Sequence, residues 1–255
     1  MKDKEKTFEE KYAKYYDLFY KYKDYNSESE FIKKIFEKYG ISVRNILNLG
    51  CGTGKHEEFL SEMGFNVHGI DISTEMIRIA KSKNLSNCTY EVGDMSDFNL
   101  NRKFDACISM FAAFGYLTEN NQIENSLKKI RNHLNPNGLV IIEVWNGLGV
   151  LKEMPTPRKK EIEKDKIKII RQSFPKFDAY NQKVNILFKV NVFEDDLLKD
   201  STEEMHKMRF FFPQEIKKYL EEEGFELLEI CQAFKLDTKI DENNWDMVVI
   251  ARLKN

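Results

Sequence analysis

Asn45-Ile-Leu-Asn-Leu-Gly-Cys-Gly-Thr-Gly54, followed by Gly69-Ile-Asp-Ile-Ser73, is the stretch whose reading decides the fold. The apolar run before Gly50 reads as a buried strand, and it empties into a turn with glycines at 50, 52 and 54. Glycines let backbone approach a ligand with no Cβ in the way, and the helix that follows presents free N–H groups there. A second strand, Asn66 to Ile72, carries Asp71 at its tip, placed to accept hydrogen bonds from ribose hydroxyls. The two strands together predict a site for an adenosine-like ligand at the carboxyl edge of a parallel sheet. Lys55 stands where a dinucleotide fingerprint needs a small residue, and Leu49 and His56 break the P-loop pattern.

The remaining pattern, G-x-G-x-G with a downstream Asp, resembles motif I of the class I S-adenosylmethionine (SAM) dependent methyltransferases. Later landmarks fit in order. Gly93-Asp94-Met95 follows the strand Cys88–Val92, Phe104–Phe111 looks like the fourth strand, and Asn135-Pro-Asn-Gly138 opens the fifth, Leu139–Val144. The resemblance implies SAM as cofactor. It places the turn residues Gly50, Cys51, Gly52, Thr53 and Gly54 on the cofactor side, with Asp71 and Ile72 at the ribose, Asp94 and Met95 at the adenine and Met110 at the methionine moiety.

Composition narrows the partners. A chain of 255 residues suits one α/β domain with an insertion, and a net charge of −2 sets up no global field for nucleic acid or anionic membrane. The sequence shows no signal-peptide pattern and no apolar run approaching the ~18 residues of a membrane span. Cys51, Cys88, Cys107 and Cys231 form no C-x-x-C pair and read as reduced thiols, consistent with a cytoplasmic protein. The histidines are scattered, so no metal site is expected.

From Val43 the chain alternates strand and helix, which predicts a doubly wound, mostly parallel seven-stranded sheet of the Rossmann-like methyltransferase kind. Residues 1–40 are helical in pattern and dense in Tyr, Phe and Lys, and read as an N-terminal lid on a domain spanning 41–255. After Trp145-Asn146-Gly147 the rhythm becomes antiparallel, with strands expected over 165–174, 183–193 and 202–212 and a polar turn over Glu194–Ser201. We read 147–212 as an inserted β cap arching over the strands' carboxyl ends.

Tyr16-Asp-Leu-Phe-Tyr20, Lys23-Asp-Tyr25, Gly52-Thr-Gly-Lys-His56, Gly93-Asp-Met-Ser-Asp-Phe98, Met110–Leu117 and the His206–Phe211 strand resemble the nucleotide-linked amino-sugar N,N-dimethyltransferases. After strand five this chain departs from that family's Pro and paired Trp, with Glu143-Val-Trp-Asn146 instead. The resemblance implies methylation of a sugar amine on a sugar nucleotide, with Tyr16 and Tyr25 on the SAM side and Tyr20 on the acceptor side. Methyl transfer to an amine needs orientation and a neutral nitrogen, whereas a hydroxyl needs a base. His206, on a predicted strand of the insertion, is the candidate for acceptor contact or base chemistry. Tyr116 and Trp145 follow strands four and five, where acceptor pockets form, and Arg158 and Arg209 suit a substrate phosphate. The expected partner is a small polar acceptor, with the oligomeric state open and a homodimer among the options. The alternatives are an O-methyltransferase of a sugar or polysaccharide building block, and a SAM-binding protein without catalysis. A nucleic-acid amino-methyltransferase lacks support, because Ser109-Met-Phe-Ala112 replaces the N/D-P-P-Y/F motif.

Overall fold

Two helices, α1 (Glu10–Phe19) and α2 (Tyr25–Lys38), lead into strand β1 (Asn45–Leu49). Helices and strands then alternate through α3 (Lys55–Glu62), β2 (Asn66–Asp71), α4 (Thr74–Ser82), β3 (Cys88–Val92), β4 (Phe104–Ser109), α5 (Asn120–His133) and β5 (Leu134–Trp145). A short α6 (Gly147–Lys152) precedes four successive strands, β6 (Arg158–Lys164), β7 (Ile167–Asp178), β8 (Lys183–Glu194) and β9 (Leu197–Arg209). Helix α7 (Pro213–Glu222) and strands β10 (Phe225–Gln232) and β11 (Asp246–Leu253) follow. This computed structural model describes residues 7–8, 10–164 and 166–254, so residues 1–6 and 9 of the expected lid lie outside the described residues.

Alternation along β1 builds two layers around the sheet. Ile46 packs with Phe31, Ile32, Ile35 and Phe36 of α2 and Leu60 of α3. Leu47 and Leu49 point the other way, into a core shared with Ile123, Leu127 and Ile130 of α5 and Ile216 and Leu220 of α7. Asn48, on the α3 side, donates from Nδ2 to Glu57 Oε1 at 2.8 Å. The seven strands run in the order β10-β11-β5-β4-β1-β2-β3. Pairings from β3 across to β5 are parallel, and β11 is antiparallel to both β5 and β10. Strand order reverses between β1 and β4, and a crevice opens at such a switch point outside the strands' carboxyl ends.

The chain between β5 and α7 makes a second sheet, β6-β7-β8-β9, antiparallel throughout. The expected polar turn over 194–201 shrinks to Asp195 and Asp196, both at positive φ (48° and 62°), as a two-residue hairpin turn matched to strand twist requires. Leu197 to Ser201 look like loop because they are polar or exposed, yet they pair with Asn191–Glu194 as an ordinary ladder with one irregularity. The sequence pattern also missed β6, a run of Arg, Lys and Glu with a single apolar residue, Ile162, which the neighbouring β7 holds by backbone pairing.

The expected lid over 1–40 divides in two. Helix α2, started by Asp24 accepting from Ser27 N at 2.9 Å, packs into the main core. Helix α1 buries Tyr12 and Phe19 against Ile169, Val190 and Val192 of the second sheet. The reason is their apolar faces: α2 offers Phe and Ile at helical spacing, whereas α1 offers an aromatic stripe that only the cap's inner face complements. Among the described residues, no helix is long and apolar enough to cross a membrane.

Candidate functional site

A cavity of about 730 Å³ lies between the carboxyl ends of the parallel strands, helix α1 and the inner face of the cap. Its floor begins at the glycine turn. Gly50, Gly52 and Gly54 all take positive φ (74°, 56° and 76°), a region that disfavours residues with a Cβ. A Cβ on Gly50 would strike that of Ala113 at 2.5 Å, and one on Gly54 would meet the Tyr90 hydroxyl at 2.8 Å. A Cβ on Gly52 would meet nothing within 4 Å, and Gly52 lines the cavity. The backbone is therefore bare where a ligand would lie against it.

Asp71 stands opposite. Its Oδ2 accepts from Gly52 N–H at 2.8 Å and its Oδ1 from Ser73 N–H at 2.9 Å. Burial raises its carboxyl above the usual range, while the two backbone donors pull it back. Each carboxylate oxygen has a second lone-pair direction, so the donor set of a ribose diol matches what Asp71 offers. Asp94, at the next strand end, accepts from Ser96 N and Oγ at 2.9 and 2.7 Å through Oδ1 and lines the cavity with Met95.

Helix α1 roofs this floor and is pinned at both ends. Thr53 Oγ1 donates to Asp17 Oδ1 at 2.6 Å, and Ser73 Oγ donates to the Phe8 carbonyl at 2.8 Å. Tyr16 and Tyr20 lie 4.8 Å apart by ring centroid, and Tyr20 meets Phe111 edge-on at 4.9 Å. Phe111 and Ala112, just after β4, both sit at positive φ (54° and 55°), a strained setting for residues with side chains. Glu143 at the end of β5 accepts the Phe111 N–H at 2.5 Å through Oε2 and holds that turn. Burial, with Asp246 and Glu28 nearby, pushes the Glu143 carboxyl up to about 8. Lys23 sits 4.4 Å over the Phe111 ring and pairs with Glu28.

The structure gathers most of the residues singled out in the sequence. Gly50, Gly52, Asp71, Ile72, Asp94 and Met95 line the floor of the cavity, and Met110 lies beside them. Tyr16, Tyr20, Tyr116, Trp145, Arg158 and His206 line its upper part. Five others are outside the lining. Cys51 is buried with its Sγ beneath Gly69, Thr53 bonds Asp17, and Gly54 starts α3. Tyr25 is buried with its ring edge-on to His56 at 5.0 Å. Arg209 is a correction to the expected phosphate contact. Its guanidinium turns inward to Asn120 Oδ1 (2.7 Å) on α5 and Glu215 Oε1 (2.5 Å) on α7, which take up its charge and donors.

Arg171 has no signal in the sequence, being one basic residue among many in an alternating strand. In the fold it reaches the cavity and donates to the hydroxyls of Tyr12 (3.0 Å) and Tyr20 (2.9 Å). Glu204 lies two residues before His206 on the same strand, β9. It accepts from Phe8 N–H at 2.8 Å and from His206 Nε2 at 3.1 Å.

Residues 46–138 match the family profile described as "Methyltransferase domain". The chain is 37% identical over 141 residues to a dTDP-3-amino-3,4,6-trideoxy-alpha-D-glucopyranose N,N-dimethyltransferase of Streptomyces venezuelae, covering 54% of this chain and 59% of that protein. It is 32% identical over 135 residues to a dTDP-3-amino-3,6-dideoxy-alpha-D-glucopyranose N,N-dimethyltransferase of Streptomyces fradiae, covering 52% of each. The matched part thus spans little more than half the length of these relatives. The crystal structure of a S-adenosylmethionine-dependent methyltransferase from Clostridium acetobutylicum superposes with a TM-score of 0.82 at 22% identity, covering 96% of this chain and 98% of that one, which shows the shared fold. Glycine turn, strand-end acid, sheet order and the domain match over residues 46–138 agree on one fold, that of the class I SAM-dependent methyltransferases, with a site whose residues suit SAM.

Proposed function

We propose that the protein is an enzyme that transfers a methyl group from SAM to the amine of a nucleotide-linked amino sugar. The observation that carries this reading is the 37% and 32% identity to two dTDP-amino-sugar N,N-dimethyltransferases. The cavity supports it. Arg158 and Lys207 line the cap side and suit the phosphates of a sugar nucleotide, and the insertion leaves room for an acceptor instead of filling it.

When bound, SAM supplies a methyl group already activated on a sulfonium. The Gly50–Gly54 turn and Asp71 would hold its ribose end, Asp94 and Met95 its adenine, and Met110 and Tyr16 its methionine side. The protein's remaining task is to bring the acceptor nitrogen into line and keep water out, and such orientation is worth ~7–11 kcal/mol in well-aligned cases. The aromatic roof of Tyr16, Tyr20 and Phe111 excludes water and offers its ring faces to positive charge, at ~0.5–2 kcal/mol each. Tyr20 stays at the acceptor side, held by Arg171.

A second reading, O-methylation of a sugar hydroxyl, has one observation in its favour: Tyr116 and His206 form a hydrogen-bonded pair at 2.7 Å on the cavity wall, as base chemistry requires. Incubation of pure protein with SAM and paired amino and hydroxy sugar nucleotides, read by mass spectrometry, separates the two. Added methyl groups on amino forms alone are expected. Modification of hydroxy forms would select the second reading, and SAM binding without product on any acceptor would favour a non-catalytic role.

A further inference from the structure

Tyr116, Glu204 and His206 form a continuous hydrogen-bonded chain leading from the cavity wall into the cap. Tyr116 Oη lies 2.7 Å from His206 Nδ1, and His206 Nε2 lies 3.1 Å from Glu204 Oε2. His206 is 1% exposed and Glu204 5% exposed, so neither bond competes with bulk water. A carboxylate only accepts hydrogen bonds, so the proton between His206 and Glu204 belongs to Nε2. Nδ1 of the neutral ring is then the acceptor, and the Tyr116 hydroxyl donates to it. The imidazole has no freedom to turn, since Phe8 and Phe188 abut it edge-on at 4.8 Å each and Tyr12 closes a third side at 5.6 Å. Phe8 N–H also donates to Glu204 Oε2 at 2.8 Å, so the segment that roofs the site fixes the carboxylate too.

We propose that this chain is a proton relay that strips the acceptor's ammonium to the neutral amine before methylation; the proposal rests on the amine reading above. A sugar ammonium has no lone pair to attack with. In the relay its N–H bond breaks, the electron pair remains on nitrogen, and the proton passes to Tyr116 Oη. Tyr116 simultaneously gives its own proton to His206 Nδ1, so the phenol is neutral before and after. The imidazolium that forms is stabilised by Glu204 at its other nitrogen. The site carries the same net charge throughout, and no oxidant or metal takes part. A dimethylated product calls on the relay twice, since each methylation leaves a cationic nitrogen, and the chain resets by passing the proton back to solvent after release.

The surroundings favour transit through Tyr116 over storage on it. Burial, with Tyr12, Tyr20, Asp71 and Glu204 facing it, holds the phenol well above its ordinary value, so it does not ionise alone. Tyr16 faces it from α1, and Arg171 on β7 is occupied by the hydroxyls of Tyr12 and Tyr20. His206, bonded to Tyr116 through one ring nitrogen and to Glu204 through the other, is the group in the chain that can hold a proton on both nitrogens.

The test is the pH dependence of methylation by the full chain with SAM and an amino-sugar nucleotide, for wild type, Tyr116→Phe, His206→Asn and Glu204→Gln. Tyr116→Phe keeps the ring in place and removes only the hydroxyl. Both Tyr116→Phe and His206→Asn are expected to lose about 10²-fold in kcat near neutral pH and to recover as pH passes the amine's own pKa, where the acceptor arrives neutral. Glu204→Gln is expected to lose rate below the amine's own pKa and to recover above it, because the imidazolium formed in the relay then lacks the carboxylate that stabilises it. Nitrogen-15 NMR of the wild-type protein, with the signal assigned by its loss in His206→Asn, is expected to show the Nε2–H tautomer. A loss of rate by one factor at every pH, or an Nδ1–H tautomer, would overturn the relay while leaving the amine reading intact. A wild-type protein that methylates no amine would overturn the amine reading and the relay together.

Discussion

Glu57 lies on α3 directly beneath the glycine turn and is fully buried (0% exposed). Its Oε1 accepts from Asn48, while Oε2 has no hydrogen-bond partner, and burial pushes the carboxyl up from 4.5 to about 7. A carboxyl raised on folding favours the protonated state. Its contribution is fully present below the unfolded pKa and is lost as pH rises through the folded one. Between about pH 4.5 and pH 8 this group therefore withdraws on the order of 3 kcal/mol from the folded state. Urea unfolding at both ends of that range is expected to show Glu57→Gln gaining that amount relative to wild type at the alkaline end. An equal difference between the two proteins at both pH values would show that Glu57 does not carry the pH dependence.

Among the elements, the end of β9 has two jobs on two faces. His206 and Met208 face inward to the cavity, whereas Arg209 ties the cap strand to α5 through Asn120 and to α7 through Glu215. Removing one partner of a buried pair leaves the other charge uncompensated. Glu215 keeps 20% side-chain exposure, so Arg209→Ala is expected to cost about 3 kcal/mol, the lower end of the usual range. Arg158, at the cavity mouth with a side chain 70% exposed, should change stability by no more than about 0.5 kcal/mol when replaced by Ala, and should instead raise KM for a phosphate-bearing acceptor. Denaturant unfolding combined with steady-state kinetics of both variants checks the pair. Two variants with the same profile would refute the division between a structural and a substrate-facing arginine.

At the scale of the whole molecule, α1 joins two bodies that the chain builds separately. It shares a core with β7 and β8 of the cap and is bonded to the glycine turn and to Ser73 of the main domain. Filling the cavity with SAM should therefore order α1 and the cap together. At a SAM concentration a hundred times Kd, binding adds about 2.7 kcal/mol of stability. Amide exchange is expected to slow in α1, β7 and β8 as a set, while α5 and α7 on the far face change little. Protection confined to the strand ends would show that roof and cap do not respond as one unit.

The sequence by itself determined the alternating α/β order, the glycine turn, the acid at the tip of β2 and the switch to antiparallel strands after Trp145. Each is a local signal: periodicity, turn chemistry and short spacing are written in consecutive residues. Only the tertiary structure decided that α1 and α2 belong to different cores, because both are amphipathic helices and their partners come from distant segments. It alone took Arg209 out of the site and brought Arg171 in, since two arginines on alternating strands look alike until the path of the chain gives one a carboxylate and the other two phenols. The Tyr116–His206–Glu204 chain belongs to the same class. Its members come from the turn after β4 and from β9, 90 residues apart at the Tyr116–His206 bond, and a hydrogen bond across such a distance is set by packing and not by any local pattern.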